Sequence, residues 1–226
     1  MKIVTGATRD FENYVKRLRK DIDRLGYELK VYDYDGEVDG EYFPLDFIKP
    51  NKEELYRAKI PMKPFIILDM LYKTGEPFVY MDCDVEILED FSEVMTSDYD
   101  IGVCIHKKKY HDGSVMNNPY PNISGYLNAG IIYVNNTSNT KYFIRKWLMS
   151  YVGSEKGSDQ EALTRLMEGC SWEPYDIHVI DGIRIKMFPS EIYNFTFLKE
   201  EDMKEAKVLH YVGMNRPKLN EKCVGL

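Results

Sequence analysis

The sequence has few cysteines and no long hydrophobic run. Its 226 residues contain four cysteines, widely spaced and without a C-x-x-C pair, so neither a zinc knuckle nor a disulfide framework is expected. Reduced thiols in the cytoplasm fit this pattern best. No apolar stretch approaches the ~18 residues of a membrane span. The N-terminus lacks the long apolar region and small-residue cleavage site of a signal peptide, so secretion is not expected.

An excess of basic residues is also absent. The chain has 30 Lys and Arg against 37 Asp and Glu, which gives a formal net charge of −7. Nucleic acids and anionic membranes bind basic surfaces, so neither is expected as a partner. A small anionic ligand needs only a few local cations, and the net charge leaves that class open. The 18 tyrosines suit sugar and base stacking as well as ordinary packing.

The first thirty residues have the pattern of a βαβ unit. Apolar residues predict strands at 3–5 and 27–31, and apolar residues at helical spacing predict a helix at 11–25 that is closed by Gly26. Strands joined by a helix run parallel, so this start favours a parallel sheet. Further strand and helix patterns follow, and the length suits one α/β domain spanning residues 1–226.

Later segments depart from this alternation. Asp181-Gly182 between two apolar runs is a strong signal for a tight hairpin. The central sheet is therefore expected to be mixed and mostly parallel, flanked by helices, with a small antiparallel hairpin. Residues 33–50 and 106–126 have no periodicity and are interpreted as loops, which either frame an acceptor groove or pack on themselves. The residues after 212 are predicted to form a polar tail.

An apolar run at 78–81 ends on two carboxylates, Asp82 and Asp84. Side chains at i and i+2 of an extended segment point the same way, and two like charges held close repel unless a cation lies between them. Carboxylate oxygens suit a hard divalent ion such as Mn²⁺ or Mg²⁺. Open α/β sheets bind ligands at the carboxyl ends of their strands, so a metal site for a nucleotide diphosphate is one interpretation. A solvated turn is the other.

Four separated motifs in this order resemble the GT-A fold of nucleotide-sugar glycosyltransferases, in particular the retaining enzymes of the glycogenin and galactosyltransferase type. They are Lys63 ahead of the acidic strand end, residues 127–130 (Leu-Asn-Ala-Gly), Asp159-Gln160 and residues 210–213 (His-Tyr-Val-Gly). The resemblance implies a Rossmann-like GT-A domain. It also implies transfer of a sugar from a nucleotide diphosphate donor, most simply a UDP-sugar, to a hydroxyl of a glycan or glycoprotein with retention of configuration.

The resemblance further implies roles for individual residues. Asp82, Asp84 and His210 would be ligands of Mn²⁺ or Mg²⁺, although a histidine at a strand end is often only packed. Sugar contacts near the anomeric carbon would come from Asn128, Asp159 and Gln160. The donor would be held by Thr5, Gly6, Ala7, Tyr14, Asp33, Lys63, Asp82, Cys83, Gly213 and Arg216.

Several of these residues have a structural alternative. Tyr14 lies on the apolar face of the predicted helix, so a core position is equally expected. Asp33 could accept the imino hydrogen of uracil at the end of the second strand, but a solvated loop aspartate is equally expected. Asp159 lies in a sequence with capping-box spacing, which gives it a structural reason of its own. The related pattern ends in Lys-Pro-Trp where this chain has Arg216, Pro217 and Lys218, so closure of that segment over the donor is left open.

Two rival functions share parts of this pattern. Phosphatases and phosphomutases of the haloacid dehalogenase type also carry Asp-x-Asp after an apolar strand. There the motif normally opens the fold, whereas here it follows a complete βαβ unit, and Val85-Glu86 stands where a Gly-Thr or similar pair is expected. A catalytically silent nucleotide-sugar binding module is the other rival, because binding residues alone do not establish turnover.

Overall fold

The computed structural model describes residues 1–43, 62–106, 126–152, 159–167, 170, 173–196, 205–211 and 216–223. The strands are β1 (Lys2–Ala7), β2 (Glu28–Asp33), β3 (Glu41–Tyr42), β4 (Phe78–Met81), β5 (Val85–Ile87), β6 (Ile101–His106), β7 (Tyr126–Val134), β8 (Ile177–Ile180), β9 (Ile183–Pro189) and β10 (Val208–His210). The helices are α1 (Glu12–Leu25), α2 (Met62–Lys73), α3 (Ser138–Val152), α4 (Asp159–Leu166), α5 (Ser190–Tyr193) and α6 (Arg216–Lys222).

Eight strands form the central sheet in the order β3-β2-β1-β4-β7-β6-β9-β8. Strands β1 to β4 run parallel to one another, β7 is antiparallel to β4 and β6, and β9 is parallel to β6. Strand β8 closes the sheet as an antiparallel edge, and β5 pairs with β10 in a separate two-stranded sheet. The predicted α/β class with a mixed, mostly parallel sheet and a small antiparallel hairpin is confirmed.

The core lies on both faces of the central sheet, and β4 shows why. Phe78 and Tyr80 point to the face covered by α2, α3 and α4, whereas Val79 and Met81 point to the face covered by α1 and β5. All four side chains are buried. A strand buried on both faces has a continuous apolar sequence, which is why this run was readable as a strand. Its fixed position sets where the acidic residues after it lie.

Two turn residues predicted from sequence adopt the expected backbone. Gly26 ends α1 with φ 68°, the left-handed conformation that glycine adopts at helix ends without steric cost. Asp181 and Gly182 join β8 to β9 with φ 52° and 79°, as a type I′ hairpin requires. The predicted βαβ start and the late hairpin are therefore confirmed, and α1 begins one residue later than expected, after a 3₁₀ turn at Arg9–Phe11.

Two predictions for irregular segments are wrong in part. Residues 33–50 were expected to be a loop, yet Glu41–Tyr42 forms β3, parallel to β2; two exposed residues carry no periodicity. The polar tail after residue 212 contains α6, whose Leu219 is buried and whose Lys222 lies 2.7 Å from the Glu86 carboxylate. A seven-residue helix has too few apolar positions to show a pattern. Residues 44–50 and 107–125 of the predicted loops lie outside the described residues.

The cysteines and the described helices bear on the expectations drawn from composition. The four cysteines are all free, and Cys83, Cys104 and Cys223 are buried. Burial raises the pKa of the Cys104 thiol, so this sulfur stays protonated and behaves as an apolar packing atom. In the described ranges, no helix combines the length and the apolarity needed to cross a membrane.

Candidate active site

Three side chains from two distant parts of the sequence meet beyond the end of β4. One donor atom each from Asp82, Asp84 and His210 lies within 4.8 Å of the other two. The Nε2 atom of His210 is 3.2 Å from Asp84 Oδ1 and 3.8 Å from Asp82 Oδ2. Asp84 and His210 are each 3% exposed. Two carboxylates and an imidazole in this arrangement form a donor set that suits a divalent transition ion.

The two-stranded sheet brings His210 to this place. Strand β10 runs antiparallel to β5, and His210 is paired with Val85, the residue directly after Asp84. The backbone N–H of Tyr211 donates to the Asp84 carbonyl at 2.9 Å and extends the pairing by one step. The histidine is therefore positioned by a backbone ladder, and its ring is presented to the carboxylates of the neighbouring strand.

Asn194 fixes the orientation of the His210 ring. Its Oδ1 atom lies 2.9 Å from His210 Nδ1, and Asn194 is fully buried. An amide oxygen only accepts hydrogen bonds, so the ring nitrogen that faces it carries the proton. In the neutral ring the lone pair is then on the other nitrogen, Nε2, which is the atom that faces Asp84 and Asp82. This is the tautomer that a metal ligand needs.

A bulge between β6 and β7 opens space for the ring. The register passes from Val103 opposite Ile132 to Cys104 opposite Asn128, so extra residues of β7 are accommodated there. Within the bulge, the Gly130 carbonyl accepts the backbone N–H of Asp82 at 2.7 Å. A Cβ on Gly130 would lie 2.1 Å from Cε1 of His210. Glycine is thus required for the close approach of the imidazole, and bulges of this kind often lie beside active sites.

Lys63 joins two carboxylates on the other side of the site. Its Nζ atom is 2.9 Å from Asp82 Oδ2, 3.2 Å from Asp159 Oδ2 and 3.2 Å from the Ala129 carbonyl. Burial opposes the charged ammonium, but the carboxylates of Asp159 and Asp82 outweigh that effect and raise the pKa of Lys63. The lysine therefore stays charged and ties the end of β4 to the start of α4.

The environment of Asp82 favours a bound cation. Burial raises the pKa of its carboxyl group, the Lys63 ammonium opposes this, and the charge of Asp84 adds to it. The Tyr80 hydroxyl also donates to Asp82 Oδ1 at 3.1 Å. A carboxylate that is both desolvated and next to a like charge is stabilised by additional positive charge.

A cavity lies beside these carboxylates at the carboxyl ends of β1, β2 and β4. This is the edge at which open α/β sheets bind ligands. Its wall combines aromatic rings, backbone of the β1 end and charged groups. The lining residues are Gly6, Ala7, Thr8, Phe11, Tyr34, Met62, Lys63, Tyr80, Asp82, Cys83, Asp84 and Asp159.

Comparison with known protein families assigns the chain. Residues 30–218 match the nucleotide-diphospho-sugar transferase family, a match that includes the acidic strand end, Lys63, Asp159 and His210. The chain belongs to this family. It is therefore a nucleotide-sugar glycosyltransferase, as the sequence motifs indicated. This assignment argues against the haloacid dehalogenase alternative. A comparison with curated protein sequences finds no match.

Solved structures with the same fold are also glycosyltransferases. An enzyme that takes part in glycosylating the major capsid of PBCV-1 superposes with a TM-score of 0.63 at 14% identity, covering 100% of this chain and 98% of that one. The galactosyltransferase LgtC, solved with donor and acceptor sugar analogues, gives 0.51 at 16%, covering 95% and 88%. GlyE of Streptococcus pneumoniae TIGR4 gives 0.59 at 15%, covering 96% and 55%. At these identities the likeness shows the GT-A fold.

Half of the ten predicted donor contacts lie in the wall of the cavity. Gly6, Ala7, Lys63, Asp82 and Cys83 line the cavity. Gly213 lies outside the described residues, and of Arg216 only the backbone is described.

Three other predicted donor contacts lie away from the cavity wall. Thr5 is fully buried in β1, and Tyr14 is 8% exposed within an apolar cluster where its ring meets Phe11 edge-on. Asp33 is 3% exposed and accepts the N–H groups of Asp35 and Gly36, so the solvated-loop alternative is wrong. The donor-binding roles of these three residues stay predictions.

The predicted sugar contacts surround the carboxylate cluster. Asp159 is the first residue of α4, where Oδ1 accepts the N–H of Gln160 and Oδ2 faces Lys63. Gln160 Oε1 accepts the N–H of Ala129 at 3.3 Å. Asn128 is buried, accepts the N–H of Gly130 at 2.7 Å and has its amide nitrogen 3.4 Å from His210 Nδ1. Asp159 thus faces the cavity, and Asn128 packs beside the histidine.

Three residues of the site were not found from the sequence. Tyr80 precedes Asp82 by two residues, so the alternation of a strand could have placed both on one face. Tyr34 directly follows the predicted contact Asp33, and its position at a strand end was a usable signal. Asn194 had no signal, because its contact with His210 depends on the long-range bridge between Phe195 and Leu209 of β10.

Proposed function

We propose that this transferase moves a hexosyl group from a UDP-sugar to a hydroxyl of a glycan or glycoprotein, with Mn²⁺ or Mg²⁺ as cofactor and with retention of anomeric configuration. The observation that carries the proposal is the meeting of Asp82, Asp84 and His210 Nε2, with both carboxylates lining the cavity. The choice of UDP and of retention rests on the motif resemblance. The four free thiols suit a reducing compartment such as the cytoplasm.

Asp82, Asp84 and His210 would hold the divalent ion. Their fit is supported by the donor set, by the tautomer that Asn194 imposes and by the like charges that Asp82 and Asp84 bring together. When bound, such an ion supplies positive charge that stabilises the diphosphate leaving group. The protein's contribution is to keep the three ligand atoms in place before the donor arrives.

Lys63 and Asp159 would orient the transferred sugar. Asp159 is held by the lysine ammonium and by its place at the start of α4, so its carboxylate is fixed at the cavity wall. A fixed carboxylate accepts hydrogen bonds from sugar hydroxyls and steadies positive charge that develops near the anomeric carbon. Gln160, whose amide oxygen is held by Ala129, would support the same part of the sugar.

Retention without a covalent intermediate fits the carboxylates of the described cavity wall. Asp82 and Asp84 face His210, and Asp159 is paired with Lys63. Each carboxylate thus has a role in binding, which argues against a free nucleophile on the far face of the sugar. The acceptor hydroxyl would attack from the same face as the leaving group, and a phosphate oxygen would take its proton.

Donor turnover tests this proposal. UDP-sugars are incubated with the protein and candidate glycans in Mn²⁺ or in EDTA, released UDP is measured, and the anomeric proton of the product is assigned by NMR. We expect turnover in Mn²⁺ only, with the configuration of the donor. Mn²⁺-dependent UDP binding without hydrolysis or transfer of any donor would instead identify a silent binding module, and an inverted product would refute retention.

A further inference from the structure

Tyr34 forms part of the cavity floor at the end of β2. Its phenol lies across the backbone of Gly6, so close that a Cβ on Gly6 would be 1.8 Å from the tyrosine hydroxyl. The ring also contacts the apolar core that contains Ile66, and its backbone N–H donates to the Ala7 carbonyl at 3.0 Å. The ring is thus fixed by packing and the backbone by a hydrogen bond, and the hydroxyl lies beside the cavity.

The Tyr34 hydroxyl is a hydrogen-bond donor without a partner in the described part of the chain. Its neighbours in the cavity wall are engaged: the Tyr80 hydroxyl donates to Asp82, and the Lys63 ammonium contacts Asp82, Asp159 and the Ala129 carbonyl. Burial, followed by the charge of Asp82, raises the pKa of Tyr34 well above its ordinary value. The phenol therefore stays protonated and has a proton to donate.

The surrounding charge selects what this donor can meet. The cavity wall presents Asp82, Asp84 and Asp159 near Tyr34, so a ligand group beside the phenol must tolerate carboxylates. A sugar hydroxyl does so, because it donates its proton to a carboxylate and accepts the proton of a phenol with its lone pair.

We propose that the Tyr34 hydroxyl donates a hydrogen bond to a hydroxyl group of the bound nucleotide sugar, and so contributes to the choice of donor. Two parts of that ligand carry such hydroxyls, the ribose and the transferred sugar, and both offer the same chemistry. This inference rests on the proposed UDP-sugar function. It assigns Tyr34 a contact with the ligand, whereas Gly6 is the small residue that makes room for the ring.

Tyr34→Phe tests the contact, because it removes the hydroxyl and keeps the ring that packs on Gly6. Affinities are measured by calorimetry in Mn²⁺ for UDP, 2′-deoxy-UDP, 3′-deoxy-UDP and a set of UDP-hexoses. Tyr32→Phe is the matched control, since its hydroxyl bonds Asp69 at 2.5 Å and does not face the cavity. We expect the control to bind every ligand as the wild type does.

A ribose contact predicts that Tyr34→Phe weakens UDP and UDP-hexoses alike by about five- to tenfold, the usual effect of one lost hydrogen bond. One deoxy-UDP would then bind both proteins equally. A contact with the transferred sugar predicts an unchanged affinity for UDP and a similar loss for the UDP-hexose that the wild type prefers. Affinities within twofold of wild type for all ligands would overturn the inference while leaving the proposed function standing. A wild-type protein that binds no UDP ligand would refute both.

Discussion

Asn194 and His210 are joined by a buried hydrogen bond of 2.9 Å between the amide oxygen and Nδ1 of the ring. This contact sets the tautomer of the histidine, because only one ring nitrogen carries a proton in the neutral form. In that neutral form Nε2 is the nitrogen that can bind a metal, and it lies 3.2 Å from Asp84 Oδ1. Asn194, which orients the ring of His210, is therefore far in sequence from Asp82 and Asp84.

Replacing Asn194 should lower the affinity of the site for Mn²⁺. In Asn194→Leu the ring loses its acceptor and its fixed orientation, and we expect Mn²⁺ affinity to fall about 10- to 100-fold, as for other partners of metal-bound histidines. Calorimetric titration of Mn²⁺ measures this. Asn139→Ala, which removes an exposed amide bonded to the Gly182 carbonyl, should bind Mn²⁺ normally. Equal affinity of Asn194→Leu and wild type would show that the contact does not position the ligand.

Gly130 should be intolerant of even one extra carbon. In Gly130→Ala the new methyl would overlap the His210 ring, with Cβ 2.1 Å from Cε1, so the ring must leave its present position. We expect a loss of Mn²⁺ affinity of about tenfold or more, because one of the three ligand atoms leaves its place. Electron paramagnetic resonance of free Mn²⁺ in equilibrium with the protein reports the affinity. Gly75→Ala, with no atom within 4 Å of the new carbon, is the control and should be unchanged.

Removing the Lys63 ammonium should destabilise the metal-free protein. In Lys63→Met, Asp82 and Asp159 lose their shared cation, and we expect the free energy of unfolding to fall by about 1 to 3 kcal/mol, the range for a partly buried charged hydrogen bond. Urea unfolding in EDTA measures it. The control is Lys146→Met, whose ammonium pairs with Asp181 at an exposed turn and should matter by less than about 0.5 kcal/mol. Equal losses in the two variants would contradict the role given to Lys63.

Asp100 should make stability depend on acidity. It is 1% exposed, and although burial opposes its charge, the Arg184 backbone N–H, the Thr137 hydroxyl and the Arg184 guanidinium lower its pKa. A folded-state pKa below the unfolded value of about 3.9 stabilises the protein above that pH, and this stabilisation is lost as pH falls through the lower folded-state pKa.

The measurement for Asp100 is urea unfolding across pH. At neutral pH, Asp100→Asn should lose about 1 to 3 kcal/mol, the cost of a weakened buried hydrogen-bond network. The difference from wild type should begin to shrink below about pH 4, where the unfolded chain takes up a proton, and should vanish as pH falls through the lower folded-state pKa. Asp39→Asn, at a side chain that is 98% exposed, should follow the wild type at every pH. A difference that stays constant down to acid unfolding would contradict the account.

Local patterns were enough for the elements with strong periodicity. The strand at 78–81 was predictable because both faces are buried, and the hairpin because Asp181-Gly182 adopts positive φ at both positions. Strand β3 and helix α6 were missed since each is too short to show a period. The apolar pattern predicts a helix over residues 142–152, whereas α3 begins at Ser138 because the Thr137 hydroxyl accepts the N–H of Thr140 at the helix start.

The site was predictable only where its members are neighbours in sequence. Asp82 and Asp84 are two residues apart, so their closeness follows from the sequence, although they lie in the turn between β4 and β5 and not in an extended strand as expected. The proximity of His210 follows from β10 pairing with β5, a long-range contact for which only the resemblance to a known family provided a reason. Asn194 meets the histidine through a different long-range contact, the bridge between Phe195 and Leu209, and no local pattern indicates it.

The central claim is that Asp82, Asp84 and His210 hold a divalent ion on which UDP binding depends. Its most direct test is calorimetric titration of UDP into the wild type and Asp84→Asn, each in Mn²⁺ and in EDTA. The account predicts that Mn²⁺ raises the UDP affinity of the wild type by at least about tenfold, or 1.4 kcal/mol, and that Asp84→Asn loses this gain. Equal UDP affinity of the wild type in Mn²⁺ and EDTA, or an undiminished Mn²⁺ effect in Asp84→Asn, would contradict it.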